Sequence, residues 1–433
     1  MLANGTVPRP RQGKPYVLTG GLALLPDGRE RRADIIVGVD GRIAQVGGAA
    51  NTGGDLDRID ISGRLVTPGL VDMHQHLDKT GVLRFTPNPS GTLQGAREAF
   101  ARYARTAGPE DILRRAARTM ARCLSRGTTA IRSHINVDKD AGFNGIESLA
   151  QLRSEWTDRL TLQLVAFMTP HPGQDLDWLM QNIDRAVQKA DAVGGTPAVS
   201  EDPFRYMDIL FGAAEKHGKP VDLHLDEHLD TRRPLFDAVF DRVRKFNMQG
   251  RTVLSHASVL SALPRDAYER IRDQILELDI GVVTLPAANL YLQGRDADTL
   301  PPRGLTRVAD LVRSGVPIAT ASDNIQDPFV PTGSGDMLEI GRWTLLAGHL
   351  KGDELKAVHT MMTTIPARLM GLGGGYGLRE GARADFLVTD CPDVDTLVAG
   401  GADAMTVFAG GRPVFETSAM AAAKEARRHK AEC

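Results

Sequence analysis

From Leu65 to about Gly371, short apolar runs alternate with longer stretches whose apolar residues recur at helical spacing. That alternation predicts repeated βα units around a parallel sheet. Eight runs read as strands: Leu65 to His74, Thr128 to Asn136, Thr161 to Met168, Ala190 to Thr196, Pro220 to Leu225, Thr252 to His256, Gly281 to Leu285 and Ile318 to Ala321. Helices lie between them, as at Pro109 to Arg126, where Pro109-Glu110-Asp111 is a good helix start and Gly127 a good stop. Eight such units predict an α/β protein built on a closed, TIM-like (β/α)8 barrel, a fold that carries its chemistry at the C-terminal ends of its strands.

The flanks follow another pattern. Pro15 to Ile61 reads as short strands with turn signals at Asp27-Gly28, Asp40-Gly41 and Gly47-Gly48, and Asp385 to Thr389 and Met405 to Phe415 read the same way. Both ends are expected to form one small β-sandwich domain, 15–64 with 376–417, beside a barrel of 65–375. Residues 1–14 are left as an N-terminal extension and 418–433 as a charged C-terminal helix or tail. The glycines from Gly371 to Gly377 follow a helix, so they read as a linker; a phosphate loop should follow a strand.

Composition narrows the field. With 433 residues, 52 basic against 54 acidic and a formal charge of -2, the balance argues against a nucleic-acid or polybasic membrane surface. Its 42% hydrophobic and 24% charged residues can build a large core. Cys123, Cys391 and Cys433 are too scattered for a disulfide framework or a metal knuckle, Met1 to Lys14 does not read as the apolar core of a signal peptide, and no run of about 18 apolar residues occurs. A cytoplasmic enzyme assembled from identical subunits, with a small molecule as its partner, is the expectation.

The candidate chemistry sits where the apolar runs end. In Pro68-Gly69-Leu70-Val71-Asp72-Met73-His74-Gln75-His76 the two histidines share one strand face, roughly 7 Å apart along the chain, and can grip one ion. Pro220 to Leu225 alternates in polarity and leads to His224 and Glu227, Arg251 to Ser255 leads to His256, and Pro317 to Ser322 leads to Asp323 and Asn324. Nitrogens and a carboxylate in that ratio suit a divalent ion of borderline softness, zinc or iron, with a position left open for water. Each residue has a plainer reading: a packed histidine for His256, an ion pair with Arg232 or Arg233 for Glu227, a helix cap for Asp323. His224-Leu225-Asp226-Glu227-His228 also spells the inverted zinc-protease pattern, but Pro220 and the alternation after it argue for a strand end instead of the helix that motif needs. His134, ending the second strand, faces either the pocket or the packing behind it.

Taken together, these features resemble the amidohydrolase superfamily over essentially the whole chain. His74-Gln75-His76-Leu77-Asp78, His224 to Glu227, Leu290 to Arg295 and Ser322 to Pro328 are similar to motifs of its cytosine deaminase branch. Asp78-Lys79 and Ala321 to Met337 also resemble N-isopropylammelide amidohydrolase. The resemblance implies one divalent metal ion held by His74, His76, His224 and Asp323, with His256 beside the bound water. Binuclear relatives use a lysine on the fourth strand, and Ala190 to Ser200 contains none. The reaction expected is hydrolytic removal of ammonia or an amine from an amino-substituted nitrogen heterocycle, cytosine-like or triazine-like. Glu227 would move protons, and His256 and Asp323 would manage those of the water. Ring opening of a cyclic amide on the same fold is the alternative, and a non-catalytic binding protein a further one. For the substrate, the family pattern places a glutamine where Thr169 stands and a second acid where Asn324 stands, which points away from cytosine itself. Phe329 is either a cover for the ring or a core side chain.

Overall fold

The computed structural model describes residues 7–11, 13–47, 56–170 and 176–417. The tail from Ser418 onward, the start of the N-terminal extension and the Gly48 turn position lie outside the described residues.

Eight parallel strands form one sheet in chain order: Leu70–Gln75, Thr128–Val137, Thr161–Met168, Ala192–Gly195, Val221–Leu225, Thr252–His256, Gly281–Thr284 and Ile318–Thr320. A bridge between Gln75 and Asp323, with Asp323 N–H donating to the His74 carbonyl at 2.8 Å, brings the last strand's end back to the first and closes the barrel. Asp72 reinforces this seam. Its carboxylate accepts from Ser322 N–H at 3.1 Å, Ser322 Oγ at 2.5 Å and Gln75 Nε2 at 2.6 Å.

The strands are buried on both faces, as parallel sheets wrapped by helices must be. In Val221–Leu225, Val221, Leu223 and Leu225 join the cluster beneath the helices. Asp222 and His224 alternate with them and meet polar partners inside the barrel. The helix read at Pro109 to Arg126 spans Pro109–Ser125, with Pro109 in its first turn, Glu110 and Asp111 complementing the helix dipole, and Gly127 just beyond at φ 93°.

One predicted strand is two. Leu65 to His74 is broken at Gly69: Leu65–Pro68 pairs with Phe386–Thr389 and Leu22–Leu24 in a six-stranded sheet, and only Leu70–Gln75 enters the barrel. Both halves are wholly buried, so hydrophobicity alone could not separate them. Gly69 is required at the break, because a Cβ there would lie 2.2 Å from Thr129 Oγ1. The six-stranded sheet packs on a four-stranded one made of Tyr16–Thr19, Ile35–Val37, Ile43–Val46 and Asp57–Asp60. Leu18, Ile35, Ile43, Val66, Phe386 and Phe408 fill the space between them, forming the small β-sandwich. No described helix is long and apolar enough to cross a membrane.

Candidate metal centre and active site

Three imidazoles and a carboxylate from the first, fifth and eighth strand ends meet inside the barrel mouth. One ligand atom from each of His74, His76, His224 and Asp323 lies within 4.8 Å of all the others, and all four residues are buried. His224 Nε2 is 3.2 Å from both His74 Nε2 and His76 Nε2. Asp323 Oδ1 lies 3.2 Å from His76 Nε2 and 3.6 Å from His74 Nε2.

The other ring nitrogens show what this set is for. His76 Nδ1 meets the His134 carbonyl at 3.0 Å, which can only accept, so Nδ1 carries the proton and Nε2 presents a lone pair inward. His74 Nδ1 is held by Ser255 Oγ at 2.9 Å, and Ser255 leans on Asp222 at 3.4 Å. Burial and the neighbouring histidines hold His74, His76 and His224 well below the ordinary imidazole pKa, so all are neutral. Asp323 Oδ1 is buried without a hydrogen-bond donor. Inward lone pairs and an orphaned carboxylate oxygen would repel one another around empty space; a divalent cation resolves all of them, so these residues fit one.

His256 and Asp323 both adopt left-handed backbone, at φ 67° and 62°, a conformation that non-glycine residues keep only where surrounding structure enforces it. Asn289 Nδ2 donates to His256 Nδ1 at 3.1 Å, which places the ring proton on Nε2, 4.0 Å from Asp323 Oδ2. Burial pushes the His256 pKa down to about 4. Glu227 Oε1 stands 3.7 Å from His256 Nδ1. Burial, helped by the charge of Asp323, raises the Glu227 carboxyl to about 8, against the pull of Arg97. Arg232 and Arg233 pair with Asp230 at 2.8 and 3.3 Å, leaving Glu227 to the cavity. His228 lies in the loop after the strand, so no helix carries it together with His224.

The cavity wall includes Thr169, Asn324 and Phe329 together with Lys79, Arg97, Asn136 and Phe167. Asp327 organises part of it, accepting from Asn324 Nδ2 at 2.6 Å and from Phe329 N–H at 2.8 Å. Lys79 donates to Asn136 Oδ1 at 2.7 Å and sits 4.9 Å over the Phe329 ring, while Asn136 Nδ2 donates to Thr169 Oγ1 at 3.0 Å. His134 faces inward, its ring 4.0 Å from that of His74 and its Nε2 3.1 Å from Asp222 Oδ1. Lys79 and Asn289 lie within or beside motifs visible in the sequence, whereas Arg97 sits on the helix Leu93–Ala104 among ordinary surface charges and gives no signal there.

This barrel and its buried His/Asp cluster, beside a two-sheet sandwich, define a metal-site hydrolase of the amidohydrolase plan. The comparisons agree. The chain belongs to the amidohydrolase family, whose pattern matches residues 57–145 and 106–415. It is 30% identical over 361 residues to a pterin deaminase of Rhizobium rhizogenes, covering 82% of each chain. To an N-isopropylammelide isopropyl amidohydrolase of Pseudomonas sp. it is 26% identical over 378 residues, covering 84% of this chain and 90% of that one. The crystal structure of 5-methylcytosine deaminase from Klebsiella pneumoniae liganded with 5-fluorocytosine superposes with a TM-score of 0.84 at 28% identity, over 92% of this chain and 97% of the other. The protein is a hydrolase of the deaminase-like branch, acting on C–N bonds other than peptide bonds.

Proposed function

We propose that this enzyme removes an exocyclic amino group, as ammonia or an alkylamine, from a nitrogen heterocycle, leaving the oxo ring. The observation that carries this reading is the buried convergence of His74, His76, His224 and Asp323, with the proton-holding Glu227 beside it. Its support from relatives is consistent: a pterin deaminase, an ammelide amidohydrolase and a 5-methylcytosine deaminase are each named for a ring-bearing substrate.

One divalent ion, zinc or iron, would be held by those four residues and would supply the acidified water that hydrolysis needs at neutral pH. Asp323 Oδ2 is suited to accept that water's proton, and His256 Nε2–H to orient the water by donating a hydrogen bond to its oxygen. Glu227, kept protonated by burial, protonates the ring nitrogen next to the carbon under attack and then relays a proton to the departing amine. Water oxygen bonds to the ring carbon, the carbon–nitrogen bond breaks, and the nitrogen leaves with the electron pair. Asn324, its amide nitrogen engaged by Asp327, offers its carbonyl to a ring N–H, and Phe329 covers the ring's face. Thr169 has no amide, so a substrate edge that needs a paired donor and acceptor is read elsewhere.

The test is a metal-loaded sample offered aminopyrimidines, aminotriazines, pterins and creatinine-like rings, with released ammonia and amine measured. Release from at least one ring class is expected. A new carboxylate without amine would replace this reading with ring opening, and no product from any ring would end it.

A further inference from the structure

Beside the cavity at the metal cluster lies a second chamber that shares part of its wall. Arg97, Asn136, Thr169 and Phe329 line both, and the outer chamber holds about 460 Å³ against about 50 Å³ for the inner one. A substrate limited to one small ring would leave the larger space unused.

Charge gives that space a character. Its wall carries three guanidiniums, Arg97, Arg102 and Arg105, and three carboxylates that each have donors of their own: Asp140 pairs with Arg105 at 2.8 Å, Glu98 accepts from Gln94 at 2.8 Å, and Asp138 accepts from the Asp140 and Ala141 N–H groups at 2.9 and 2.8 Å. The guanidinium groups of Arg97 and Arg102 make no hydrogen bond or ion pair with any described residue. Arg97 feels Glu227 only through space and is half-buried. A half-buried guanidinium with no hydrogen-bonded counter-ion is free to take one, and its planar fork of donors matches a carboxylate or phosphate two bonds at a time.

We propose that the substrate is an amino heterocycle carrying an acidic substituent, a carboxylate or a phosphate, which extends past Thr169 and Phe329 into the outer chamber and is bound there by Arg97, with Arg102 at the rim. The proposal rests on the deaminase reading and narrows its substrate class. Thr169 then serves as a passage: a short side chain held back by Asn136 leaves room for the arm.

Titration calorimetry on the metal-loaded protein tests this without turnover. Uracil, lumazine and xanthine are each compared with carboxymethyl- and phosphomethyl-substituted counterparts. Wild-type protein should bind at least one acidic member about 10- to 100-fold more tightly than its neutral parent, the range of a charge-assisted bidentate contact. Whether the carboxylate or the phosphate series shows the gain identifies the acid. In Arg97→Gln the acidic-to-neutral ratio should fall to within about threefold of one, and Arg97→Lys should keep part of it. Equal affinities in the wild type, or a ratio unchanged in Arg97→Gln, would overturn the proposal, and the wild-type comparison decides even if the variant does not fold. If the acidic preference appears but the amino counterparts of the tightest rings release no amine, the deaminase reading fails while the acidic subsite stands.

Discussion

At the scale of single residues, the site divides into side chains that would hold a cation and side chains that would move protons, and substitutions should separate them. His224→Ala removes the nitrogen that lies 3.2 Å from both His74 and His76, so it should abolish metal content measured by elemental analysis. Glu227→Gln should retain the metal and lower turnover by about 10²-fold or more, since only proton transfer is lost. Loss of metal in both would make Glu227 a ligand. The pH profile follows from the same carboxyl. Glu227 is raised to about 8, so its acidic form prevails at neutrality and disappears as pH rises, and a bound cation would shift that loss to lower pH. Turnover by the metal-loaded enzyme should therefore decline on an alkaline limb at or below about pH 8, and that limb should be missing from the residual activity of Glu227→Gln. These residues are legible in the sequence because a histidine or acid ending an apolar run has few structural reasons to be there. Arg97 is not legible, because one more arginine on an amphipathic helix has many, and only the folded barrel shows that it lines the cavity.

At the scale of elements, strand identity was legible wherever polar residues alternate with apolar ones, as at Asp222 and His224. It was obscured where two buried strands run together, as at Leu65–Pro68 and Leu70–Gln75. There the boundary lies in Gly69, whose missing side chain leaves room for Thr129. Gly69→Ala should lose about 1–3 kcal/mol in chemical denaturation, the usual cost of forcing an extra methyl into a packed core, and Thr129→Ala in the same chain should recover part of it. A neutral Gly69→Ala would mean that the two sheets can shift apart freely. Beneath the cluster, Arg132 donates to Asp222 at 2.8 Å with both side chains 1% exposed, and Asp222 in turn supports Ser255. Arg132→Met should cost about 3 kcal/mol, because it takes the guanidinium from a buried carboxylate and leaves it only His134 and Ser255, and denaturant melts of the two proteins would measure the difference.

At the scale of the whole molecule, the candidate cation site ties together strand ends that are far apart in sequence. His74 and Asp323 stand on either side of the seam where the barrel closes, and His224 lies across the mouth. An ion bound to the folded state alone stabilises it by mass action. Stripping the purified protein with a chelator should lower its melting temperature by about 5 °C or more, and adding back zinc or iron should restore it. A melting curve indifferent to both treatments would mean that the cluster holds no ion. The order of these parts along the chain has one more consequence. Synthesis delivers His74 and His76 early, but the carboxylate that faces them arrives only after some 250 further residues, on the strand that also shuts the barrel. A polypeptide still emerging from the ribosome thus lacks the full ligand set until the last staves of the cask have been made.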